Sequence, residues 1–383
     1  MGIGKVGQGI CRRFSGRRRV DGFYLCHASS IRYGIESGYL ERLIPTTRTS
    51  TLPMGKTLRV AVLSNPGSGR NSRGMAWAEA ILKDYPGVAH HLASNPAEIP
   101  TALENMALNA PDVLAVNAGD GTVAALLTAL QERRPFSCPP MLALLRGGTT
   151  NMTAGDIGLQ GRASRSLRSL LEWAANTTPA MEAVWRPPLK VQAGDGAPPL
   201  YGMFFGAGAI VKGIEFCHRK VLRPGLRDSL GPGLCALRVL YAMARNDPRY
   251  AAPVPMSLLT RPGIPGIEER REYFLLMVSA LERLFLGAHP FWGDADATLY
   301  FSAIRARARH ALLILPRLFW GRASHHATAE NGYWSRKIET LELRMEGVFT
   351  IDGELYPVRR ESGPVRITYG QPECFLRFTG ARK

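Results

Sequence analysis

Asn117-Ala118-Gly119-Asp120-Gly121-Thr122 lies between the apolar run Val113-Leu114-Ala115-Val116 and a second apolar-rich run from Val123 to Leu130, and its reading decides the fold. The stretch reads as the end of a strand, a glycine turn and the start of a helix. Gly119 and Gly121 let the backbone turn sharply and come close to a ligand. The free N–H groups of the helix's first turn point into the same space and favour an anion such as a phosphate. An aspartate beside a phosphate implies a divalent cation or a transferable proton between them, as in phosphoryl transfer. The same residues also suit a plain strand-to-helix turn in which Asp120 caps the helix, so the neighbouring turns have to decide.

Upstream, Leu58 to Ser64 reads as a strand, followed by the turn Asn65-Pro66-Gly67-Ser68-Gly69 and a helix over Ser72 to Lys83. The amides of Ser68 and Gly69 can form an anion-binding nest, and Asn65 can hydrogen-bond a ribose or phosphate oxygen. A short strand at Val88 to Leu92 comes next, then a helix opening at Ser94-Asn95-Pro96 with Glu98. Downstream, Met141 to Leu145 is a further strand that empties into Arg146-Gly147-Gly148-Thr149-Thr150-Asn151. Alternating strands and helices predict a parallel α/β sheet. All three glycine turns then lie at the carboxyl ends of strands, the edge at which such sheets bind ligands.

In this order and at these separations the three turns resemble the N-P-x-S-G, G-G-D-G-T and P-x-G-T-x-N motifs of the diacylglycerol kinase catalytic family, bacterial lipid kinases above all. The resemblance runs from Lys56 to Phe378. It departs from the family at Ala118, where the first glycine of G-G-D-G-T would stand, at Arg146 in place of the proline, and at Met152 where an aspartate is common. The resemblance implies an N-terminal α/β domain of the NAD kinase/diacylglycerol kinase type that binds ATP, a β-rich C-terminal domain, and phosphorylation of a lipid hydroxyl in the cleft between them. It further implies a nucleotide site of Asn65, Ser68, Gly69, Gly119, Asp120, Gly121, Thr122, Gly148, Thr149 and Asn151, with Asp120 helping to place Mg²⁺. Asp296 carries over weakly as a ligand of a structural magnesium, since Ala297 replaces the glycine of the family's D-G-x-L loop. At Asp352-Gly353-Glu354, pattern alone favours a surface hairpin. The family places its last active-site motif here, with the glutamate as general base; spacing does not separate Asp352 from Glu354.

The remaining sequence sets the domains. Residues 1–55, basic and without apolar period, read as a disordered tail, with Met54 as the natural start; 56–180 form the ATP-binding domain and 181–383 the β-rich domain, whose last strand can return to the first. Strands are expected at Tyr201 to Gly208, Phe274 to Ala280, Leu299 to Ala303 and Gly347 to Ile351, and a loop or short helices at Arg219 to Arg249. Arg305 to Trp320 has the composition of a basic amphipathic helix, more often packed on its own domain with arginines facing water than laid on a membrane.

A 45% apolar and 21% charged composition excludes wholesale disorder. The net charge of +17 draws the chain to polyanions. The tail, with nine basic and three acidic residues, accounts for +6 and leaves +11 elsewhere. Six scattered cysteines without a C-x-x-C pair point to a reducing cytoplasm and to neither a disulfide framework nor a zinc site. No apolar run has membrane-spanning length. The leading expectation is therefore an ATP- and Mg²⁺-dependent cytoplasmic kinase, peripheral to an anionic membrane surface, that phosphorylates diacylglycerol or a related lipid such as a sphingoid base. It takes no nucleic acid, and a homodimer is left open. An NAD kinase is the enzymatic alternative, against which stands the absence of an N-E dipeptide; a non-catalytic basic module binding membrane or nucleic acid is the alternative of another class.

Overall fold

β4 (Val60–Ser64) is buried at all five positions. Val60 and Val62 pack to one side with Leu167 and Leu171, and Ala61 and Leu63 to the other with Leu103 and Leu126. A strand covered on both faces has no reason to alternate in polarity, which is why it reads as an unbroken apolar run. In this computed structural model the described residues are 57–175, 181–216, 253–264, 267, 270–293, 295–322 and 325–378, with three short strands before them: β1 (Arg17–Val20), β2 (Phe23–Cys26) and β3 (Thr49–Thr51).

β5 (Ala89–Leu92), β6 (Val113–Ala118) and β7 (Met141–Arg146) join β4 in parallel. The crossovers are α1 (Ala76–Leu82), α2 (Ile99–Ala107) and α3 (Asp120–Arg133), and β7 is followed by α4 (Met152–Ile157) and α5 (Ala163–Ala174). Asn95 and Glu98 form the capping box that opens the turn into α2, as their spacing suggests.

Three strands extend this sheet on the β7 side, in the order β3-β8-β20-β7-β6-β4-β5, where β8 is Met181–Arg186 and β20 is Glu373–Phe378. β20 is antiparallel to β8 over six residue pairs and parallel to β7 at Phe375 and Leu142. The crossover to the second sheet therefore follows Arg186, one strand later than the change expected near Ala180. Regular structure also enters the stretch expected as a tail. Thr49, Ser50 and Thr51 pair with Val184, Ala183 and Glu182, and β1 pairs with β2; the rest of 1–55 lies outside the described residues, Met54 included.

The second sheet is antiparallel and has eleven strands. They are β9 (Leu189–Ala193), β10 (Leu200–Gly202), β11 (Phe204–Gly208), β12 (Val254–Arg261), β13 (Arg271–Ser279), β14 (Leu299–Arg305), β15 (Tyr333–Ile338), β16 (Thr340–Arg344), β17 (Gly347–Ile351), β18 (Glu354–Val358) and β19 (Val365–Tyr369), with α6 (Ala209–Phe216) and α7 (Ala311–Phe319) between them. The single strand expected at Tyr201 to Gly208 is split at Met203 into β10 and β11. At Gly206 a β-carbon would stand 2.9 Å from Ile210 Cδ1 of α6. The helix expected from Arg305 is shorter, because β14 continues through Arg305 and α7 starts only after His310, left-handed at φ 58. The stretch Arg219 to Arg249 lies outside the described residues. One apolar cluster joins both sheets, running from Leu103 and Leu126 to Phe205, Phe301 and Phe349, and it holds the second sheet against α3.

Candidate active site

The three glycine turns touch one another. Ser68 Oγ accepts from the Gly119 N–H at 3.1 Å, tying the first turn to the second. A β-carbon on Gly148 would stand 2.5 Å from Gly119 Cα, and one on Gly69 would overlap Thr149 Oγ1, so the third turn lies against both others. Asn65 Nδ2 donates to Thr122 Oγ1 at 2.9 Å. Asn151, left-handed at φ 51, closes the third turn on itself: its Oδ1 accepts from the Gly148 N–H at 2.7 Å and its Nδ2 donates to the Gly148 carbonyl at 2.6 Å. Gly119 is the N-cap of α3 and no side chain caps that helix, so the first-turn amides of a fourteen-residue helix open among glycines. Amides arranged in this way can cradle a phosphate.

Asp120 is buried in its turn. It is 9% exposed, and its two oxygens accept from the Met152 and Thr153 N–H groups, each at 3.0 Å. These amides belong to the first turn of α4, so Asp120 joins the starts of α3 and α4. Burial raises its pKa, and the two backbone hydrogen bonds pull it part of the way back. Each oxygen keeps a second lone pair, which suits a magnesium ion that takes one carboxylate and completes its shell with phosphate oxygens and water.

The Asp352-Gly353 pair joins β17 to β18 as a two-residue hairpin with Ile351 opposite Glu354. Both turn residues are left-handed, at φ 49 and φ 95, as the twist of such a hairpin requires. The hairpin separates the carboxylates. Asp352 is 6% exposed and accepts from the N–H groups of Met203 at 2.8 Å and Phe204 at 2.9 Å, while its own N–H donates to the Phe204 carbonyl at 3.0 Å. Gly202 leaves room for it, since a β-carbon there would stand 2.5 Å from Asp352 Oδ2. Burial, and then the charge of Asp120, hold the Asp352 carboxyl well above the usual range. Glu354 is exposed, and its carboxylate leans over Gly121 in the first turn of α3.

Ser68, Gly69, Gly119, Asp120, Gly121, Thr122, Gly148, Thr149, Asn151 and Glu354 thus converge, while Asn65 and Thr122 engage each other. Asp296 is exposed in the β13–β14 connection, and among the described residues no group of three or more His, Cys, Asp or Glu side chains could hold a metal. Arg146, in the place of the family's proline, directs its guanidinium to Gln160. Sequence reasoning missed Asn71. It is 4% exposed, and its Nδ2 donates to the carbonyls of Asn65 at 2.9 Å and Asn117 at 2.8 Å, fixing the first turn to the end of β6. No local pattern marks a lone asparagine just beyond a turn as a scaffold.

Residues 59–183 match the family of the diacylglycerol kinase catalytic domain. No curated protein matches the chain. Among solved structures, a diacylglycerol kinase from Bacillus anthracis str. Sterne is 16% identical, covers 85% of this chain and 99% of its own, and aligns with a TM-score of 0.52. A second structure from the same organism, also 16% identical, covers 85% of this chain and 98% of its own with a TM-score of 0.55. These likenesses show the fold, an α/β domain with a parallel sheet followed by an antiparallel β-rich sheet. Yeast NADH kinase complexed with NADH, at 8% identity and a TM-score of 0.41, is too distant to carry an argument. Residues 59–183, which hold the three glycine turns, are thus similar to the diacylglycerol kinase catalytic domain.

Proposed function

We propose that this chain is an ATP-dependent lipid kinase that transfers the γ-phosphoryl group to the hydroxyl of diacylglycerol or a related lipid, such as a sphingoid base, at an anionic membrane surface. The observation that carries the reading is the placement of Glu354: a carboxylate from the second sheet stands over the first turn of α3, where the phosphate cradle lies. Gly69, Gly119, Gly121 and Gly148 let backbone approach the phosphates, and the uncapped amides of α3 bind them. Asp120 is the residue that would hold Mg²⁺, which would supply charge neutralisation for phosphoryl transfer. Glu354, open to solvent, takes the proton of the acceptor hydroxyl as general base. Asp352 holds the hairpin to the amides of Met203 and Phe204 and thereby keeps Glu354 in place.

Incubation with radiolabelled ATP, Mg²⁺ and a panel of lipids in mixed micelles, with NAD included, tests the reading. Label in a lipid phosphate is expected. Label in NAD alone would overturn it in favour of an NAD kinase.

A further inference from the structure

α7 carries large apolar side chains on two faces where a helix on a protein surface needs one such face. Ile314 and Leu318, 0% and 3% exposed, pack on Ala209, Phe274 and Ile304. The opposite stripe, at helical spacing, is Leu313, Pro316, Arg317 and Trp320, all exposed, with Leu313 at 62% and Trp320 at 60%. A helix that only covered its own domain would carry polar residues there. The stripe sits in a basic setting: between Arg305 and Arg322 the chain has five arginines and no aspartate or glutamate. β14 leads into α7 past a hollow of about 440 Å³ lined by Arg271, Glu272, Arg305, Ala306 and Arg307, in which Glu272 is the acidic side chain.

Exposed leucine and tryptophan among arginines suit a surface that is apolar below and negatively charged above. We propose that α7 and the arginine-lined hollow beside it dock this chain on an anionic lipid bilayer. Leu313 and Trp320 enter the boundary between headgroups and acyl chains, and the arginines contact lipid phosphates. A phosphate backbone of nucleic acid would engage the arginines but leave Leu313 without a partner. α7 packs on Ala209 and Phe274, at the end of β11 away from Phe204, so the docked face lies roughly 13 Å along that strand from the residues that anchor Asp352. The inference rests on the lipid-kinase reading only for its choice of a bilayer as partner.

Sedimentation of the full chain with vesicles of phosphatidylcholine, alone or mixed with phosphatidylglycerol, tests it without ATP or diacylglycerol present. The anionic vesicles should bind more tightly by at least about tenfold, and rising salt should weaken them. Leu313→Ser combined with Trp320→Ser should weaken that binding about tenfold while leaving the rate on a short-chain, water-soluble diacylglycerol unchanged. Should the double variant melt lower than the parent, Arg317→Glu carries the same comparison. Equal binding by parent and variant, equal binding to both vesicle types, or retention on double-stranded DNA without vesicle binding would each overturn the proposal. Vesicle binding without phosphorylation of any lipid upholds the docking and refutes the kinase reading; lipid phosphorylation by a chain that ignores vesicles does the reverse.

Discussion

Glu354 of the second sheet lays its carboxylate so close to Gly121 of the first that a β-carbon on Gly121 would stand 2.7 Å from Oε1. Two substitutions read this relationship from its two ends. Glu354→Gln keeps the shape and removes the proton acceptor, so turnover should fall about 10²- to 10⁴-fold with nucleotide affinity and melting temperature unchanged. Near-normal turnover, measured at saturating ATP and acceptor, would remove Glu354 from the mechanism.

Gly121→Ala approaches from the other side. Gly121 lies inside α3 and has no left-handed backbone to protect, so alanine should gain helix stability, up to about 1 kcal/mol. The added methyl group pushes the Glu354 carboxylate aside. The expected variant therefore melts as high as the parent or higher while its kcat falls at least about tenfold, a loss of 1.4 kcal/mol or more in the transition state. A kcat equal to the parent's would show that the position of Glu354 does not matter.

Asp120→Asn should cost both stability and activity. Asparagine offers one acceptor where aspartate has two, so the Met152 or Thr153 amide loses its partner, at about 1–3 kcal/mol. Thermal unfolding should show a drop of a few degrees, with turnover not restored by excess Mg²⁺. A variant that melts like the parent would argue against the clamp between α3 and α4.

Glu373, at the start of β20, gives a pH dependence with a definite sign. It accepts from Gln131 Nε2 at 2.6 Å, and burial pushes its carboxyl up to about 7 against the pull of that hydrogen bond and of Arg134. The folded chain therefore holds this proton more tightly than the unfolded chain. The stability so gained is fully present below about pH 4.5 and is lost as the pH rises through about 7. Glu373→Gln keeps an oxygen for Gln131 and cannot ionise, so it should melt above the parent at pH 8 and level with it near pH 4. The same difference at both pH values would contradict this.

Removal of residues 1–53 takes away β3 and leaves the outer edge of β8 unpaired. The melting temperature should drop modestly. The kinase rate should hold, because β3 is four strands from β6 in the sheet order. Calorimetry and a rate assay on a chain beginning at Met54 separate the two effects.

The parallel strands were legible because burial on both faces leaves unbroken apolar runs, as at Val60 to Leu63, and the three turns because glycine spacing survives without knowledge of the fold. The surroundings of Asp120 were not, since the amides that cover it come from a turn 32 residues further on. Asp352 and Glu354 looked equivalent because two residues apart in an extended strand share a face. The two left-handed residues at 352 and 353 break that rule, and only packing against Met203 and Phe204 shows which carboxylate is buried. The placement of β8 was misjudged for a related reason: Met181 to Arg186 reads as a strand, but nothing local says which sheet it joins.

β20 has a consequence for how the molecule comes into being. During synthesis β7 and β8 emerge long before the strand that lies between them, so the first sheet carries an empty slot until Phe378 has been made. A nascent chain must hold that slot open, or reopen it, while the whole second sheet is built, and such late long-range closure is slow and exposes strand edges meanwhile. A fragment limited to residues 59–183 lacks β3 and β20 and ends inside β8, so the parallel strands of its sheet would have an open edge at β7.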